Sequence, residues 1–333
     1  MTLDLTIVWA LLLAFFVAMY VVMDGFDLGI GILFPRFPAG NERDMAMNSI
    51  APVWDGNETW LILGGNALIA AFPVAYAIIL PALYAPVIAM LLGLIFRGVA
   101  FEFRWRDPGH RRWWDAGFFL GSLTATFAQG ITLGALLQGI TVQGRAYGGG
   151  WWDWLSPFSL LVGASLAVGY ALLGACWLIW KTDGDLNARA RRYARILLPA
   201  LLVAIGLVSL ATPFLEEKYH ERWFVWPGLL LAVPMPLIVA LVAYGAWRSF
   251  AGKRDFAPFF WVLGLFGLSL IGLAVSIWPD VIPGRLSIWD AASPRSSQLF
   301  MLVGSAVLVP LILAYTAWSY WVFRGKVGEE SYH

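Results

Sequence analysis

The sequence predicts an all-α membrane protein, and two observations carry that prediction. Of the 333 residues, 60% are hydrophobic and only 13% are charged, whereas soluble domains average about 25% charged residues. The apolar residues also form long segments, and a helix that crosses a bilayer needs about 20 of them. We therefore expect one integral membrane domain over residues 1–333, because the connecting segments are too short to hold a separate core.

Nine segments are long and apolar enough to be membrane spans. The second is the least regular, because it begins with the polar stretch Trp54-Asp-Gly-Asn-Glu58 and is separated from the third only by a tight turn at Pro73. The predicted spans cover approximately residues 7–34, 55–72, 75–103, 116–140, 157–180, 194–213, 226–247, 258–278 and 299–323.

The distribution of positive charge predicts the orientation. Lys and Arg are concentrated after the first, third, fifth and seventh spans and in the C-terminal tail, and they are sparse in the other connecting segments. Loops rich in Lys and Arg stay in the cytoplasm, so we predict a periplasmic N-terminus and a cytoplasmic C-terminus. No Lys or Arg precedes the first apolar segment, which is also too long for a signal peptide, and we interpret it as a retained span.

Ionisable residues occur inside the first three predicted spans. Asp24 and Asp27 are three residues apart and therefore share one face of a helix, and Asp55 and Arg97 follow in the next two spans. A charge at membrane depth costs at least about 2.5–3.5 kcal/mol on insertion scales, so it usually faces a partner, a cavity or an ion path. In the predicted orientation these groups meet near the cytoplasmic side, which indicates proton or ion handling.

Two interpretations of this cluster remain open. In the first, Asp55, Asp24 and Asp27 carry protons and Arg97 is a structural counter-charge, since burial and a neighbouring cation act in opposite directions on a carboxylate. In the second, the cluster is a polar clamp between helices, and the long side chains of Arg97 and Glu102 reach the nearby surface.

Other motifs are weaker or missing. The spacing of Gly25 and Gly29 favours close approach of another helix, and the adjacent pair at 64 and 65 can do the same. The single cysteine, Cys176, is predicted to be a small core residue. The three histidines, His110, His220 and His333, fall in loops or at the C-terminus, so we expect this chain to ligate no haem and no metal. The net charge of +1 indicates no nucleic-acid partner.

In the stretches around the charged residues, the sequence resembles subunit II of the cytochrome bd-type quinol oxidases, including the cyanide-insensitive branch. The motifs are specific to residues 20–105, and beyond residue 110 the resemblance depends on the number and order of the spans. The matching stretches are Asp24-Gly-Phe-Asp-Leu-Gly-Ile-Gly-Ile-Leu33, Asn48-Ser-Ile-Ala-Pro-Val-Trp-Asp-Gly-Asn-Glu-Thr-Trp60 and Phe96-Arg-Gly-Val-Ala-Phe-Glu-Phe-Arg104.

The resemblance implies nine transmembrane helices arranged as two four-helix bundles plus one peripheral helix. The first bundle, over about residues 1–140, holds the charged cluster, and the second, over about residues 155–325, is more apolar. It also implies a multi-pass subunit of a quinol:oxygen oxidoreductase in the bacterial inner membrane. That complex oxidises quinol and reduces O2 to water with proton uptake from the cytoplasm, so that charge separates across the membrane.

The same resemblance implies that the cofactors lie on a partner. Subunit I is expected to hold two b-type haems, one d-type haem and the quinol site, and a small single-span accessory subunit is also expected. Some members hold a structural quinone in subunit II, which leaves a quinone or lipid open as a further ligand. The aspartate of the Trp-Asp-Gly-Asn motif lies on a proton route at the subunit interface in this family. The implied proton-pathway residues are Asp24, Asp27, Asp55 and Glu58, and the implied counter-charge or structural residues are Trp54, Asn57, Trp60 and Arg97.

Two other classes of function are also consistent with the residues. One is a proton- or ion-coupled transporter that uses the aspartates as its coupling site, although such proteins often have a second, inverted polar half, and none is evident here. The other is a structural membrane scaffold. An oxidase subunit should co-purify with a coloured haem partner, whereas a transporter should be colourless and active alone.

Overall fold

The computed structural model describes residues 4–327, apart from the side chain of Leu231. Helices form almost all of the regular structure in this part of the chain, as predicted. In chain order the α-helices are α1 (Leu5–Leu33), α2 (Asn41–Asn48), α3 (Trp54–Ala71), α4 (Pro73–Arg106), α5 (Arg111–Leu137), α6 (Pro157–Lys181), α7 (Gly184–Ala211), α8 (Glu217–Phe224), α9 (Leu229–Ala232), α10 (Pro234–Ser249), α11 (Ala257–Ile277), α12 (Ile288–Ala291) and α13 (Arg295–Val322).

Short elements connect these helices. Single turns of 3₁₀ helix cover Phe34–Arg36, Pro108–His110 and Thr212–Phe214. Two small antiparallel hairpins lie in the loops, one formed by β1 (Val142–Gln143) with β2 (Ala146–Tyr147) and the other by β3 (Asp280–Ile282) with β4 (Leu286–Ser287).

Seven of the helical segments are long and apolar enough to cross a membrane, which makes the chain a multi-pass membrane protein. They are Leu5–Arg36, Pro73–Arg106, Pro108–Leu137, Pro157–Lys181, Gly184–Phe214, Ala257–Ile277 and Arg295–Val322. Two predicted spans are missing from this set. Helix α3 begins with the polar residues of the second span, and the predicted span 226–247 is divided between α9 and α10, with Pro234 at the start of α10. The count of nine spans therefore stays a prediction.

Two of the predicted loops contain helix instead. Helix α2 lies within the segment predicted to connect the first two spans, and α7 begins at Gly184, about ten residues before the predicted span. The first turns of α7 are rich in Ala, Arg and Leu, which favour helix whether or not they lie in lipid. The drop in hydropathy before residue 194 marks only where the apolar segment begins. The helix begins earlier, at Gly184.

Helix α1 lies at the centre of the packing. It contacts α3, α5 and α6, and α4 packs along α5. Further along the chain, α6 packs against α5, α7 and α11, and α10 against α11 and α7. Helix α13 contacts α1 and α3, and most of its surface is exposed.

The crossing of α1 and α6 requires glycine. A Cβ atom placed on Gly29 would lie 1.8 Å from the carbonyl oxygen of Tyr170, and one on Gly174 would lie 2.6 Å from the backbone of Gly29. A Cβ on Gly25 would come within 2.7 Å of the Tyr170 ring. The close approach predicted from the Gly25 and Gly29 spacing is confirmed. For the pair at 64 and 65, a Cβ on Gly64 would make only ordinary contacts of 3.9 Å with Phe16 and Val17 of α1, and no described residue lies within 4 Å of the Gly65 Cβ position.

Candidate functional site

A buried charged cluster forms where α1, α3 and α4 meet, and Arg97 of α4 is at its centre. The residue is 1% exposed. Its Nη1 lies 2.6 Å from Glu58 Oε1 of α3 and 3.3 Å from Asp24 Oδ1 of α1, and its Nη2 lies 3.9 Å from Asp27 Oδ2. One guanidinium group therefore faces three carboxyl groups from two neighbouring helices.

The burial of the carboxyl groups differs. Asp24 and Asp27 have no exposed surface, whereas the side chain of Glu58 is 25% exposed. Asp24 interacts with the Tyr20 hydroxyl group and with the Arg97 guanidinium group, and one carboxyl oxygen of Asp27 accepts no hydrogen bond from the described residues. The two aspartates are therefore the sheltered members of the cluster, and Glu58 is the member nearest the surface.

Asn57 of α3 orients the inner carboxyl group. Its Nδ2 donates to Asp27 Oδ2 at 2.7 Å and to the carbonyl oxygen of Met23 at 3.0 Å. The amide oxygen accepts from the hydroxyl group of Tyr320 on α13, at 3.0 Å. Because both ends of the amide are bound, its nitrogen points at Asp27.

The two tryptophans of the α3 motif have separate environments. The ring of Trp54 lies 5.8 Å from the Arg97 guanidinium carbon and 5.1 Å from the Phe101 ring, so it forms one wall of the cluster. Trp60 is fully buried and packs on Phe15 and Phe16, with ring centres 5.8 and 6.3 Å apart. Trp60 therefore belongs to the packing of α1 against α3.

Asp55 is not part of the buried cluster in this chain. It lies in the first turn of α3, where its side chain is exposed and forms no ion pair within residues 4–327. Glu58 follows it one helical turn later on the same face. Glu102 is also at the surface, with a side chain that is 44% exposed and 3.9 Å from Arg106. The idea that Arg97 reaches the surface is wrong.

A second buried network lies two helical turns further along α4, and the sequence reasoning missed it. Arg104 is 1% exposed and binds Asp44 at 2.7 Å and Asp115 at 2.5 Å, and Asp115 also binds Arg43 at 2.6 Å. Arg43 and Arg104 belong to the Lys- and Arg-rich segments after the first and third predicted spans, so the sequence predicts them at the surface. The signal available was the seven-residue spacing of Arg97 and Arg104, which places both on one face of α4.

The described residues contain no cluster suited to a metal ion. Within residues 4–327, no group of three or more His, Cys, Asp and Glu side chains is arranged to hold one. His110 and His220 are exposed, Cys176 is buried, and His333 lies outside the described residues.

Fold and site together define a class: a multi-pass helical membrane protein with a buried carboxylate–arginine cluster where three of its early helices meet. The comparisons with known proteins then specify the family. The family model for cytochrome bd terminal oxidase subunit II matches residues 5–323, so the chain belongs to that family. Its members are subunits of respiratory terminal oxidases.

Relatives and a solved structure match over nearly the whole chain. The cytochrome bd-I ubiquinol oxidase subunit 2 of Escherichia coli strain K12 is 33% identical, over 98% of this chain and 96% of that protein. The cytochrome bd ubiquinol oxidase subunit 2 of Bacillus subtilis is 29% identical, over 97% and 96%. A chain in the structure of bd oxidase from Geobacillus thermodenitrificans has the same fold, with a TM-score of 0.76 and 19% identity over 97% of this chain and all of that chain.

Proposed function

We propose that this chain is the non-haem subunit II of a bd-type quinol oxidase that oxidises quinol and reduces O2 to water. Its role is to support assembly and to supply protons from the cytoplasm to haems held by a partner subunit I. The relatives that match along the whole chain are named as ubiquinol oxidase subunits, which supports the reaction class. The proposed cellular location is the bacterial inner membrane, and the proposed orientation places the N-terminus in the periplasm.

The proposed architecture is nine spans in two four-helix bundles with one peripheral helix. Within the first proposed bundle α1, α3, α4 and α5 pack together, and within the second α6, α7, α10 and α11 do, while α6 also packs against α1 and α5 and so joins the two bundles. Helix α13 lies outside both groups against α1 and α3. In this division α3 spans the membrane despite its polar start, because Asn57 and Glu58 face the buried cluster.

The observation that carries the proton role is the excess of carboxyl groups over cations in the buried cluster. Asp24, Asp27 and Glu58 share Arg97 and have no other cation within ion-pair distance among the described residues. Ionising all three would leave uncompensated negative charge in a poorly solvated site, which is strongly unfavourable. The cluster therefore holds at least one proton that the carboxyl groups share, and a shared proton can be passed on.

The geometry also gives the proposed relay a direction. Asp55 and Glu58 lie at the more accessible end on α3, and Glu58 contacts Arg97, which reaches Asp24 and Asp27 on α1. Tyr20 lies one turn before Asp24 on the same face of α1, and its buried hydroxyl group interacts with the Asp24 carboxyl group. Protons would move from Asp55 and Glu58 through the aspartates toward Tyr20 and the membrane interior.

Purified complex is the material for the test. We expect Glu58→Gln and Asp55→Asn to slow O2 reduction about tenfold or more while the haem spectrum stays unchanged, because general acid–base groups typically contribute 10²–10⁴-fold. Asp185→Asn is the matched control, since this aspartate is also exposed, in the first turn of α7.

The outcomes separate the roles of the residues. Normal turnover in Glu58→Gln and in Asp24→Asn would contradict the proton role of the cluster. Loss of the haems in those variants would show a structural role instead. A colourless preparation that is active without any partner would contradict the oxidase assignment and favour a transporter.

A further inference from the structure

A small cavity lies between the C-terminal ends of α6 and α13 and the turn before α3. Its volume is about 110 Å³. Apolar and aromatic side chains form most of the wall, among them Val53, Trp177 and Trp180, and the cationic residues Lys181 and Arg324 stand beside them. One part of the cavity therefore suits a hydrocarbon chain and another part suits an anion.

Lys181 is buried without a compensating negative charge. It is 5% exposed, and lysine is almost never so buried unless it is paired. Its ammonium group donates to the carbonyl oxygens of Phe323 at 2.5 Å and Gly325 at 2.6 Å, and it lies 5.6 Å from the centre of the Trp177 ring. No carboxylate within residues 4–327 forms an ion pair with it, although buried charges are usually paired.

The acidic groups nearby are already bound to other cations. Asp183 and Asp255 both contact the ammonium group of Lys326 at 2.5 Å. The Arg324 guanidinium lies over the Trp321 ring, 4.6 Å from its centre, and donates to the carbonyl oxygen of that residue at 2.7 Å. Arg324 is exposed and has no carboxylate partner in the described chain either, so a buried and an exposed cation border the same cavity.

We propose that this cavity binds the phosphate group of an anionic phospholipid, with Lys181 and Arg324 as its ligands and an acyl chain against Trp177 and Trp180. Ammonium and guanidinium groups form strong charge-assisted hydrogen bonds to phosphate oxygens. The basic and aromatic parts of the cavity then contact the two parts of one amphiphilic molecule. The phospholipid also joins α6 to α13 and to the segment that leads into α3.

Native mass spectrometry of the purified, delipidated oxidase complex tests this proposal. Phosphatidylglycerol and phosphatidylcholine are added in parallel, and the bound lipids are counted. We expect one tightly held phosphatidylglycerol whose affinity falls about tenfold or more in Arg324→Gln, because hydrogen bonds to charged groups are worth that much. Lys253→Gln is the matched control, since Lys253 is exposed in a neighbouring loop.

A second variant separates binding from packing. Lys181→Met also removes the bonds to the α13 end, so its stability is measured along with its lipid count. If Lys181 serves only to bind the carbonyl oxygens of Phe323 and Gly325, Lys181→Met loses stability but retains its phosphatidylglycerol. In that case Arg324→Gln also retains its phosphatidylglycerol. That result would overturn the proposal.

Two further arms identify the occupant. If inorganic phosphate displaces the lipid at equal concentration, the site recognises a free anion and the lipid assignment is wrong. Glu329 and Glu330 lie outside the described residues. The double variant in which both are changed to Gln tests whether carboxylates of the chain itself occupy the site. Lipid binding that occurs only in that double variant would also contradict the proposal. Because the readout is lipid binding, these outcomes are independent of the proposed proton function.

Discussion

At the scale of single residues, Arg97 is the group on which the buried cluster depends. It is the shared partner of Asp24, Asp27 and Glu58, and its stacking against Trp54 fixes the position of the guanidinium group. Removing one partner of a buried ion pair is far more damaging than removing an exposed one, because the remaining charge stays buried and unpaired.

We expect Arg97→Met to lower the free energy of unfolding by about 3–5 kcal/mol. Thermal unfolding of the purified complex measures the effect. Arg106→Met is the control, because that side chain is 74% exposed, and it should change stability by less than about 0.5 kcal/mol. Adding Asp24→Asn and Asp27→Asn to Arg97→Met should recover part of the loss. No recovery would show that Arg97 acts through packing and not through charge.

Tyr320→Phe should slow O2 reduction without changing the haem content. The change removes the hydroxyl group that holds the Asn57 amide, so the amide is free to turn away from Asp27. The expected loss of stability is about 0.5–1.5 kcal/mol, the usual value for one hydrogen bond. Tyr315→Phe on the exposed face of α13 is the matched control. Equal rates in both variants would contradict the orienting role of Tyr320.

Some residues of the buried cluster can be predicted from the local sequence, and others cannot. Asp24, Asp27 and Arg97 stand inside apolar segments, and the cost of burying charge predicts that they meet. Asp55 is also a charged residue in a predicted span, but it lies on the exposed side of α3. The sequence does not show how α3 is rotated about its axis, so it does not show which side Asp55 faces. Tyr320 could not be found, because an ordinary tyrosine near a helix end does not reveal a contact with a residue 263 positions earlier.

At the scale of secondary-structure elements, the crossing of α1 and α6 joins the helices that carry the cluster to the second half of the chain. Gly29 and Gly174 allow the two backbones to touch. The small-residue spacing predicted the close approach of a helix, but it did not show which helix approaches. The partner depends on long-range packing that the spacing alone does not encode.

Gly29→Ala should prevent this crossing, since its Cβ would lie 1.8 Å from a backbone oxygen that cannot move aside. The expected result is loss of assembled complex in the membrane, measured by its haem absorbance. Gly65→Ala is the control, because its Cβ would meet no residue of the described chain, and alanine is about 1 kcal/mol more favourable than glycine inside a helix. Normal assembly of Gly29→Ala would show that the crossing can relax.

The link between the C-terminal segment and the loops after α6 and α10 should be insensitive to pH near neutrality. Burial lowers the pKa of Lys326, but the bonds to Asp183 and Asp255 outweigh it, and the net shift is upward. A raised folded-state pKa means that the stabilisation is complete below the ordinary lysine value of about 10.4 and is lost only as the pH rises through the raised value.

Hydrogen exchange at the Val327 amide, which donates to the Lys181 carbonyl oxygen at 2.8 Å, measures this link. The protection factor should be constant from about pH 5 to about pH 7 in the natural chain, because Lys181, which binds the same segment through Phe323 and Gly325, stays charged over that range. It should be lower throughout that range in Lys326→Met. A fall in protection of the natural chain within the range would contradict the assignment to Lys326.

At the scale of the whole molecule, the unequal distribution of charge organises the fold. The first 115 residues hold the buried ion pairs, Lys181 is a buried cation outside them, and the later helices α7, α11 and α13 present mostly apolar surface. Composition was sufficient to predict the helical class and the approximate ends of the long helices. It was not sufficient to decide whether α3 and the α9–α10 segment cross the membrane, because hydropathy does not reveal which polar residues face inward.

Labelling of introduced cysteines tests the proposed orientation. Cys176 is the only cysteine, so Cys176→Ser provides a background without thiols. In that background, Lys253→Cys should react with an impermeant thiol reagent only from the cytoplasmic side. Arg145→Cys should react only from the periplasmic side. Both positions are exposed. Labelling of both from one side would refute the nine-span arrangement.

The contact between Tyr320 and Asn57 has a consequence for biosynthesis. Translation begins at the N-terminus, so the helices that hold the aspartates enter the bilayer long before the ribosome reaches α13. Until that last helix is made, the Asn57 amide has no restraint from Tyr320. A nascent chain arrested before α13 should therefore carry an unfinished acidic site, and only completion of the polypeptide closes it.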